Sequence, residues 1–274
     1  MTHPGEHDVP ALRYGDCQVW WGRARDDAWA RALLAPRERV RAERLRKAGA
    51  RALYVGARAL ARTVVARHLG VPVREVDLVA VCKHCGGPHG KPQPPAPLRL
   101  SLSHSGDRVL VALAHTTEIG ADVERIAPQA PETVDRTLAP PERALLAGLP
   151  AELRAAGFIR YWTRKEALLK ATGDGLLVAP DLLHVSAPDE PPRLLSWQGT
   201  EQPARPLLLY DLDAGREHRA ALASLGAPLR LSHHDGGALL AAPGPAPAPA
   251  SPTRVPVPVT APERQQEPCP STSH

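Results

Sequence analysis

The chain is 274 residues long and 43% hydrophobic, with a formal net charge of +5 and a pI near 9.3. That apolar content can fill a core, which excludes a chain disordered throughout, and the basic balance favours anionic partners such as a nucleotide, a nucleic acid or an acidic protein without choosing among them. Cys17, Cys82, Cys85 and Cys269 are too few for a disulfide framework. Residues 1–10 carry no signal segment, and no run approaches the roughly 20 apolar residues of a membrane span. The expectation is a reduced, soluble, cytoplasmic protein.

In chain order, residues 1–16 are polar and irregular. Pro36 to Arg46 is helix-compatible and carries the cations Arg37, Arg39, Arg41, Arg44 and Arg46. A second helix is predicted from Ala50 to Leu69, where Leu53, Leu60, Val64 and Val65 recur at helical spacing, with Gly70 as its stop and Pro72 beyond. Val76 to Val81 reads as a short strand and Cys82 to Pro97 as a Gly- and Pro-rich loop. Leu98, Leu100 and Leu102 alternate with Arg99, Ser101 and Ser103. The turn Ser105-Gly106-Asp107 and the apolar run Val109 to Ala114 complete a hairpin. Glu118 to Glu124 alternates again. Helices are predicted over Ala139–Ala147 and Ala151–Ala171, the second broken near Gly157, and short strands near Leu182–Val185, Pro206–Leu212, Ala220–Ala223 and Ala238–Ala241. His233-His234-Asp235 reads as a surface turn. From Pro243 to His274 a Pro-, Ala-, Thr- and Ser-rich segment cannot bury enough apolar surface to offset its ordering entropy, so a disordered tail is expected. No sequence repeat stands out.

Four groups of residues could carry chemistry. In Gly120-Ala121-Asp122-Val123-Glu124 a strand puts both carboxylates on one face, roughly 6.5–7 Å apart at the backbone, within reach of one cation. Magnesium takes hard oxygen ligands and is satisfied by a few carboxylates plus substrate phosphates; a solvated acidic edge is the alternative. In Trp162-Thr163-Arg164-Lys165-Glu166-Ala167-Leu168-Leu169-Lys170 helical spacing places Trp162, Glu166 and Lys170 on one face. A plain surface Glu–Lys pair would look the same, but the chain has only five lysines (Lys47, Lys83, Lys91, Lys165 and Lys170) against abundant arginine, so a retained lysine carries weight. Ser101-Leu102-Ser103-His104-Ser105-Gly106 ends a strand in a polar cluster that could meet a phosphate or simply close a turn; the Gly-x-Ser-x-Gly elbow of hydrolases is absent. Cys82-Lys83-His84-Cys85, with His89 nearby, is half of a zinc site that lacks a second cysteine pair.

The order and spacing of these groups, Ser103-His104, then Gly120-x-Asp122-Val123-Glu124, then Trp162-x-x-Lys165-Glu166-x-x-x-Lys170, resemble the surfactin-type 4′-phosphopantetheinyl transferases over about Pro36 to Leu212. Gly90-Lys91-Pro92 and Leu138-Ala-Pro-Pro-Glu142 fit the same pattern, and the Cys/His loop is of the kind common in actinobacterial members. The resemblance implies an α+β fold of two similar halves, 13–115 and 116–242, related by a pseudo-twofold with coenzyme A between them and the tail 243–274 outside. It implies Mg²⁺ held by Asp122, Glu124 and Glu166, with Glu166 as base for a carrier serine and Lys170 stabilising the pyrophosphate. Coenzyme A would further be contacted by Ser103, His104, Arg41, Arg37, Arg51 and Lys165, and its adenine by Gly90, Lys91 and Pro92. The reaction implied is transfer of the 4′-phosphopantetheine group of coenzyme A to a serine of an apo acyl or peptidyl carrier protein, releasing 3′,5′-ADP, by a monomer that needs neither nucleic acid nor membrane. Ala121 departs from the bulkier residue usual at its position. The competing readings are a basic nucleic-acid-binding module built on the Arg37–Arg46 run, for which no zinc-finger, RNA-binding or helix-turn-helix signal is present, and a non-catalytic coenzyme A-binding relative, against which the full acidic set argues.

Overall fold

A computed structural model describes residues 9–82, 86–87, 90–199 and 202–241. The expected tail 243–274 and the Lys83, His84, Cys85 and His89 part of the Cys/His loop lie outside the described residues. The elements are β1 (Asp16–Arg23), α1 (Ala28–Ala32), α2 (Pro36–Arg44), α3 (Ala48–Leu69), β2 (Val79–Ala80), β3 (Pro92–Gln93), β4 (Leu98–Ser105), β5 (Arg108–His115) and β6 (Glu118–Arg125). They continue with α4 (Pro131–Thr137), α5 (Pro140–Gly148), α6 (Ala151–Thr172), β7 (Leu183–Val185), β8 (Leu194–Trp197), β9 (Leu207–Leu212), β10 (His218–Leu225), β11 (Arg230–Asp235) and α7 (Gly236–Ala241).

Two main sheets form, β11-β1-β5-β4 and β6-β10-β9. Side-chain alternation along their strands builds three apolar layers. On β5, Val109, Val111 and Leu113 join the α3 core, while Leu110, Ala112 and Ala114 meet Ile119, Ala121 and Val123 of β6 between the sheets. On β10, Ala220 and Leu222 face that same middle layer, and Ala221 and Ala223 face α6. The order is therefore α3, first sheet, second sheet, α6, an α+β architecture. A small Ala121 suits the middle layer, which β6 shares with Ala112, Ala114 and Ala220.

The two long helices sit in matching surroundings. Leu34-Ala35-Pro36-Arg37-Glu38-Arg39 opens α2 and Leu138-Ala139-Pro140-Pro141-Glu142-Arg143 opens α5. In each, the glutamate accepts from the backbone N–H of its N-cap alanine, Glu38 from Ala35 at 2.9 Å and Glu142 from Ala139 at 2.8 Å. Each then leads to a 22-residue helix ended by a left-handed glycine, Gly70 or Gly173. At the same place in each helix stands a buried cation. Arg62 meets Glu38 at 3.5 Å and the Leu33 carbonyl at 2.7 Å; Lys165 meets Glu142 at 2.5 Å and the Thr137 carbonyl at 2.8 Å. The first-last-middle strand order of β1-β5-β4 recurs in β6-β10-β9. This internal repeat escapes a reading by eye because its few shared residues are spread over a hundred positions.

The structure corrects several expectations. α6 runs unbroken through Gly157, whose missing side chain instead admits Leu149 and Leu146 of the preceding segment; a β-carbon there would lie 2.9 and 3.1 Å from them. Only Val79–Ala80 of the predicted 76–81 strand pairs, with Pro92–Gln93, because Val73–Glu75 winds into a 3₁₀ turn and Val76 and Leu78 are buried in the first core. His233-His234-Asp235 is not a turn but the end of β11, parallel to β1, with the His234 ring stacked on Trp20 at 4.5 Å. Ala238–Ala241 is helical, since Asp235 Oδ1 accepts from the N–H groups of Gly237 and Ala238 and starts α7. β11 and α7 thus return to the first sheet and α3. β1 carries no alternation signal because both its faces are covered: Cys17 and Val19 by the middle layer, Trp20 by the α3 core. Among the described residues no helix is long and apolar enough to cross a membrane.

Candidate active site

β6 lies against α6 with Gly120, Asp122 and Glu124 on the helix side. Gly120 does not leave an open face: a β-carbon there would lie 2.0 Å from the Ala167 carbonyl oxygen and 2.3 Å from the Ala171 nitrogen. The strand therefore touches helix backbone, and Lys170 Nζ reaches Asp122 Oδ1 at 2.6 Å and the Ala121 carbonyl at 3.3 Å. Asp122 is 2% exposed, too deep for water to answer its charge.

The opposite edge of β6 faces β4. The two strands run in the same direction but belong to different sheets, and serine hydroxyls stand in for a backbone ladder. Ser101 Oγ accepts from the Ala121 N–H at 2.8 Å, Ser103 Oγ donates to Asp122 Oδ1 at 2.7 Å, and Ser105 Oγ donates to Glu124 Oε2 at 2.5 Å.

Burial, then the charge of Asp122, pushes Glu124 up to about 7, with Ser105 and Lys170 opposing. Burial likewise raises Glu166 to about 7, with Lys170 lowering and Asp122 raising it. Burial works against the Lys170 ammonium, but Asp122, Glu166 and Glu124 together outweigh it and raise its pKa. His104 is lowered by burial and by the neighbouring Lys170 and Arg58 charges. Two buried carboxylate oxygens, Asp122 Oδ2 and Glu166 Oε1, have no hydrogen-bond partner. Such oxygens are costly unless a cation meets them. Among the described residues no three His, Cys, Asp or Glu side chains are already gathered in a metal-ligating arrangement; it is the Lys170 ammonium that stands against Asp122. The hard oxygen donors, their unpaired atoms and the mutual repulsion nonetheless fit a divalent cation such as Mg²⁺, which needs only one or two carboxylates beside water and phosphate.

Asp122, Glu124, Glu166, Lys170, Ser103 and His104 are thus brought together. Lys165 is not: it is fully buried, its ammonium held by Glu142 and the Thr137 and Pro180 carbonyls. Arg37 is engaged by Asp77 and the Leu78 carbonyl, and Arg51 by Asp26 at 2.7 Å and the Leu45 carbonyl. Arg41 lies over the Tyr54 ring at 5.6 Å, and Arg58 lies at the same distance. Lys91 Nζ is spent on the Ile119 carbonyl at 2.6 Å and Glu118 at 3.2 Å, which tie Gly90-Lys91-Pro92 to the start of β6. Sequence reasoning missed Ser105 as a partner of Glu124, and Tyr54 and Arg58 beside Arg41. Period-two spacing along β4 is the signal for the first; nothing local marks the others.

Comparison with known proteins points to one family. A family model described as the 4′-phosphopantetheinyl transferase superfamily matches residues 118–223, the span from β6 into β10. The chain is 34% identical over 170 residues to the 4′-phosphopantetheinyl transferase HetI of Nostoc sp., covering 60% of this chain and 69% of that one. It is 37% identical over 91 residues to the 4′-phosphopantetheinyl transferase AcpT of Salmonella typhimurium, covering 32% and 47% of the respective chains. It is 26% identical over 136 residues to a 4′-phosphopantetheinyl transferase of Bacillus subtilis, covering 49% and 59%.

Proposed function

Because the chain belongs to the 4′-phosphopantetheinyl transferase superfamily, we propose that the cleft between β6, α6 and β4 is where it transfers the 4′-phosphopantetheine group of coenzyme A to a carrier-protein serine. The serine hydroxyl attacks the β-phosphorus, the pyrophosphate P–O bond breaks, and 3′,5′-ADP leaves. Catalysis of such a step is mostly positioning and charge stabilisation.

Asp122, Glu124 and Glu166 would hold Mg²⁺, which when bound supplies positive charge to the pyrophosphate oxygens. Glu166 would accept the serine proton, directly or through a water. Lys170 keeps its proton and balances charge on the departing phosphate. His104, with Arg41, would grip the 3′-phosphate, and the loop at Gly90, Lys91 and Pro92 would line the adenine. The observation that carries this reading is the pair of buried, unpartnered oxygens, Asp122 Oδ2 and Glu166 Oε1, beside a lysine.

The order of motifs, and two sheets each backed by a 22-residue helix in one chain, support the surfactin-type branch with two pseudo-twofold halves near 13–115 and 116–242. The arginine bias and Cys/His loop support an actinobacterial origin. We further infer a cytoplasmic monomer that serves acyl or peptidyl carriers of polyketide, nonribosomal-peptide or fatty-acid synthesis, whose acidic helices suit its basic charge. The test is incubation with coenzyme A, Mg²⁺ and a panel of apo carriers, read by intact mass. A phosphopantetheine mass increment on at least one carrier is expected; no increment on any, with folded enzyme, overturns the reading.

A further inference from the structure

We propose that Ser103 and Ser105 are positioning residues for the metal-ligating strand: from β4, their hydroxyls fix the rotamers of Asp122 and Glu124 on β6. The inference rests on the reading of Asp122, Glu124 and Glu166 as cation ligands.

Three serines at a spacing of two meet β6 in succession. Ser101 Oγ takes only a backbone N–H, that of Ala121. Ser103 and Ser105 each give their single hydroxyl proton to a carboxylate. Ser105 Oγ also accepts from the Arg125 N–H at 3.2 Å. Its oxygen is therefore anchored to the strand that carries Glu124, and its proton has a fixed direction. Ser103 and Asp122 are 8% and 2% exposed, so no solvent competes for that bond.

The division of labour on Asp122 is the informative point. Oδ1 takes both Ser103 and Lys170, whereas Oδ2 takes nothing. A carboxylate with one oxygen saturated and the other bare cannot rotate without breaking two bonds, and it offers one lone-pair set to a cation. Hydrogen-bonded partners of this kind orient metal ligands and sustain affinity. In this arrangement the one hydroxyl proton of Ser103 is given to Asp122.

The test is titration of the full chain with Mn²⁺, a paramagnetic stand-in for Mg²⁺, reading free metal by electron paramagnetic resonance with coenzyme A or dephospho-coenzyme A present. Wild type should bind and Asp122→Asn should not; if wild type binds no Mn²⁺, the cation reading itself fails. Given wild-type binding, Ser105→Ala and Ser103→Ala should each weaken Mn²⁺ about 10-fold or more, equally with either coenzyme, and Ser105→Thr should restore it. Metal-free melting temperature reports the alternative, a purely structural seam. Wild-type Mn²⁺ affinity in both alanine variants, whatever their melting temperatures, overturns the proposal. So does a Ser103→Ala loss confined to coenzyme A, which would make Ser103 a 3′-phosphate contact. Should Ser103→Ala not fold, the Ser105 pair of variants decides alone.

Discussion

Gly120 on β6 touches the backbone of α6 at Ala167, so closely that any β-carbon would overlap the Ala167 carbonyl oxygen. This contact sets the distance between the strand that carries Asp122 and the helix that carries Glu166 and Lys170. Gly120→Ala must push strand and helix apart, since both clashing groups are backbone. The expected outcome is a loss of about 1–3 kcal/mol or more in denaturant unfolding, with transfer activity falling further than the folded fraction does. Wild-type stability and turnover in this variant would show that the helix can shift without cost.

Lys165 and Lys170 lie five residues apart and should fail differently. Lys165 is fully buried against an equally buried Glu142. Lys165→Met leaves Glu142 and two carbonyls without their partner, and breaking a buried pair this way costs about 3–5 kcal/mol. Lys170 is partly exposed, and Lys170→Met should abolish transfer with a smaller stability loss. Urea unfolding beside a single-turnover assay separates them. If Lys165→Met keeps wild-type stability yet loses coenzyme A affinity, Lys165 belongs to the site after all.

The hairpin Leu98–Ser105/Arg108–His115 and the acidic strand were legible because each alternates or ends at a marked turn, and the spacing Trp162-x-x-x-Glu166-x-x-x-Lys170 placed Glu166 and Lys170 on one helix. What escaped has a common physical cause. β1 and β11 are defined by strands far away in sequence: Asp16 pairs with Arg230 across the whole fold. Burial on both faces erases the alternation of β1. Sequence spacing alone does not show which side of α6 meets Glu142, and so does not reveal the buried Lys165–Glu142 pair. Only the distant counterpart, Arg62 against Glu38, reveals that as a repeated structural contact.

The raised acids predict a signed pH effect. Glu124 and Glu166 rise from ordinary values of 4.5 to about 7 in the fold. Between those values the folded state holds protons that the unfolded chain has released. The stability they contribute is present at low pH and is lost as pH rises through about 7. Burial lowers His68, His104, His218 and His234, and these histidines act in the opposite sense below about 6.5. The clean readout is therefore a difference. Glu166→Gln should stabilise the metal-free protein relative to wild type, more at pH 8 than at pH 5, by on the order of 1–3 kcal/mol. Mg²⁺ should then raise the melting temperature of wild type at pH 8 more than that of the variant. A difference that does not change with pH would remove the basis for treating Glu166 as a raised acid.

The last prediction concerns the 3′-phosphate of coenzyme A. Arg41 on α2 and Arg58 on α3 both lie against the Tyr54 ring, and the Arg58 charge is felt at His104 on β4. Two arginines from α2 and α3 thus gather near the imidazole of His104. A remote phosphate gripped there by charge-assisted hydrogen bonds contributes about 1.5–3 kcal/mol per contact, roughly 10- to 100-fold in affinity. Its role is binding and orientation, since the bond that breaks is at the pyrophosphate. Arg41→Ala and His104→Ala should each weaken coenzyme A by such a factor. Against dephospho-coenzyme A, already weaker for wild type, the same substitutions should cost little, because their partner is gone. That non-additivity is the mark of a direct contact. Calorimetric titration of both ligands into all three proteins measures it. Equal losses for the two ligands would detach Arg41 from the phosphate and leave it as a support for Tyr54, with Arg58 the next cation to test in the same cycle.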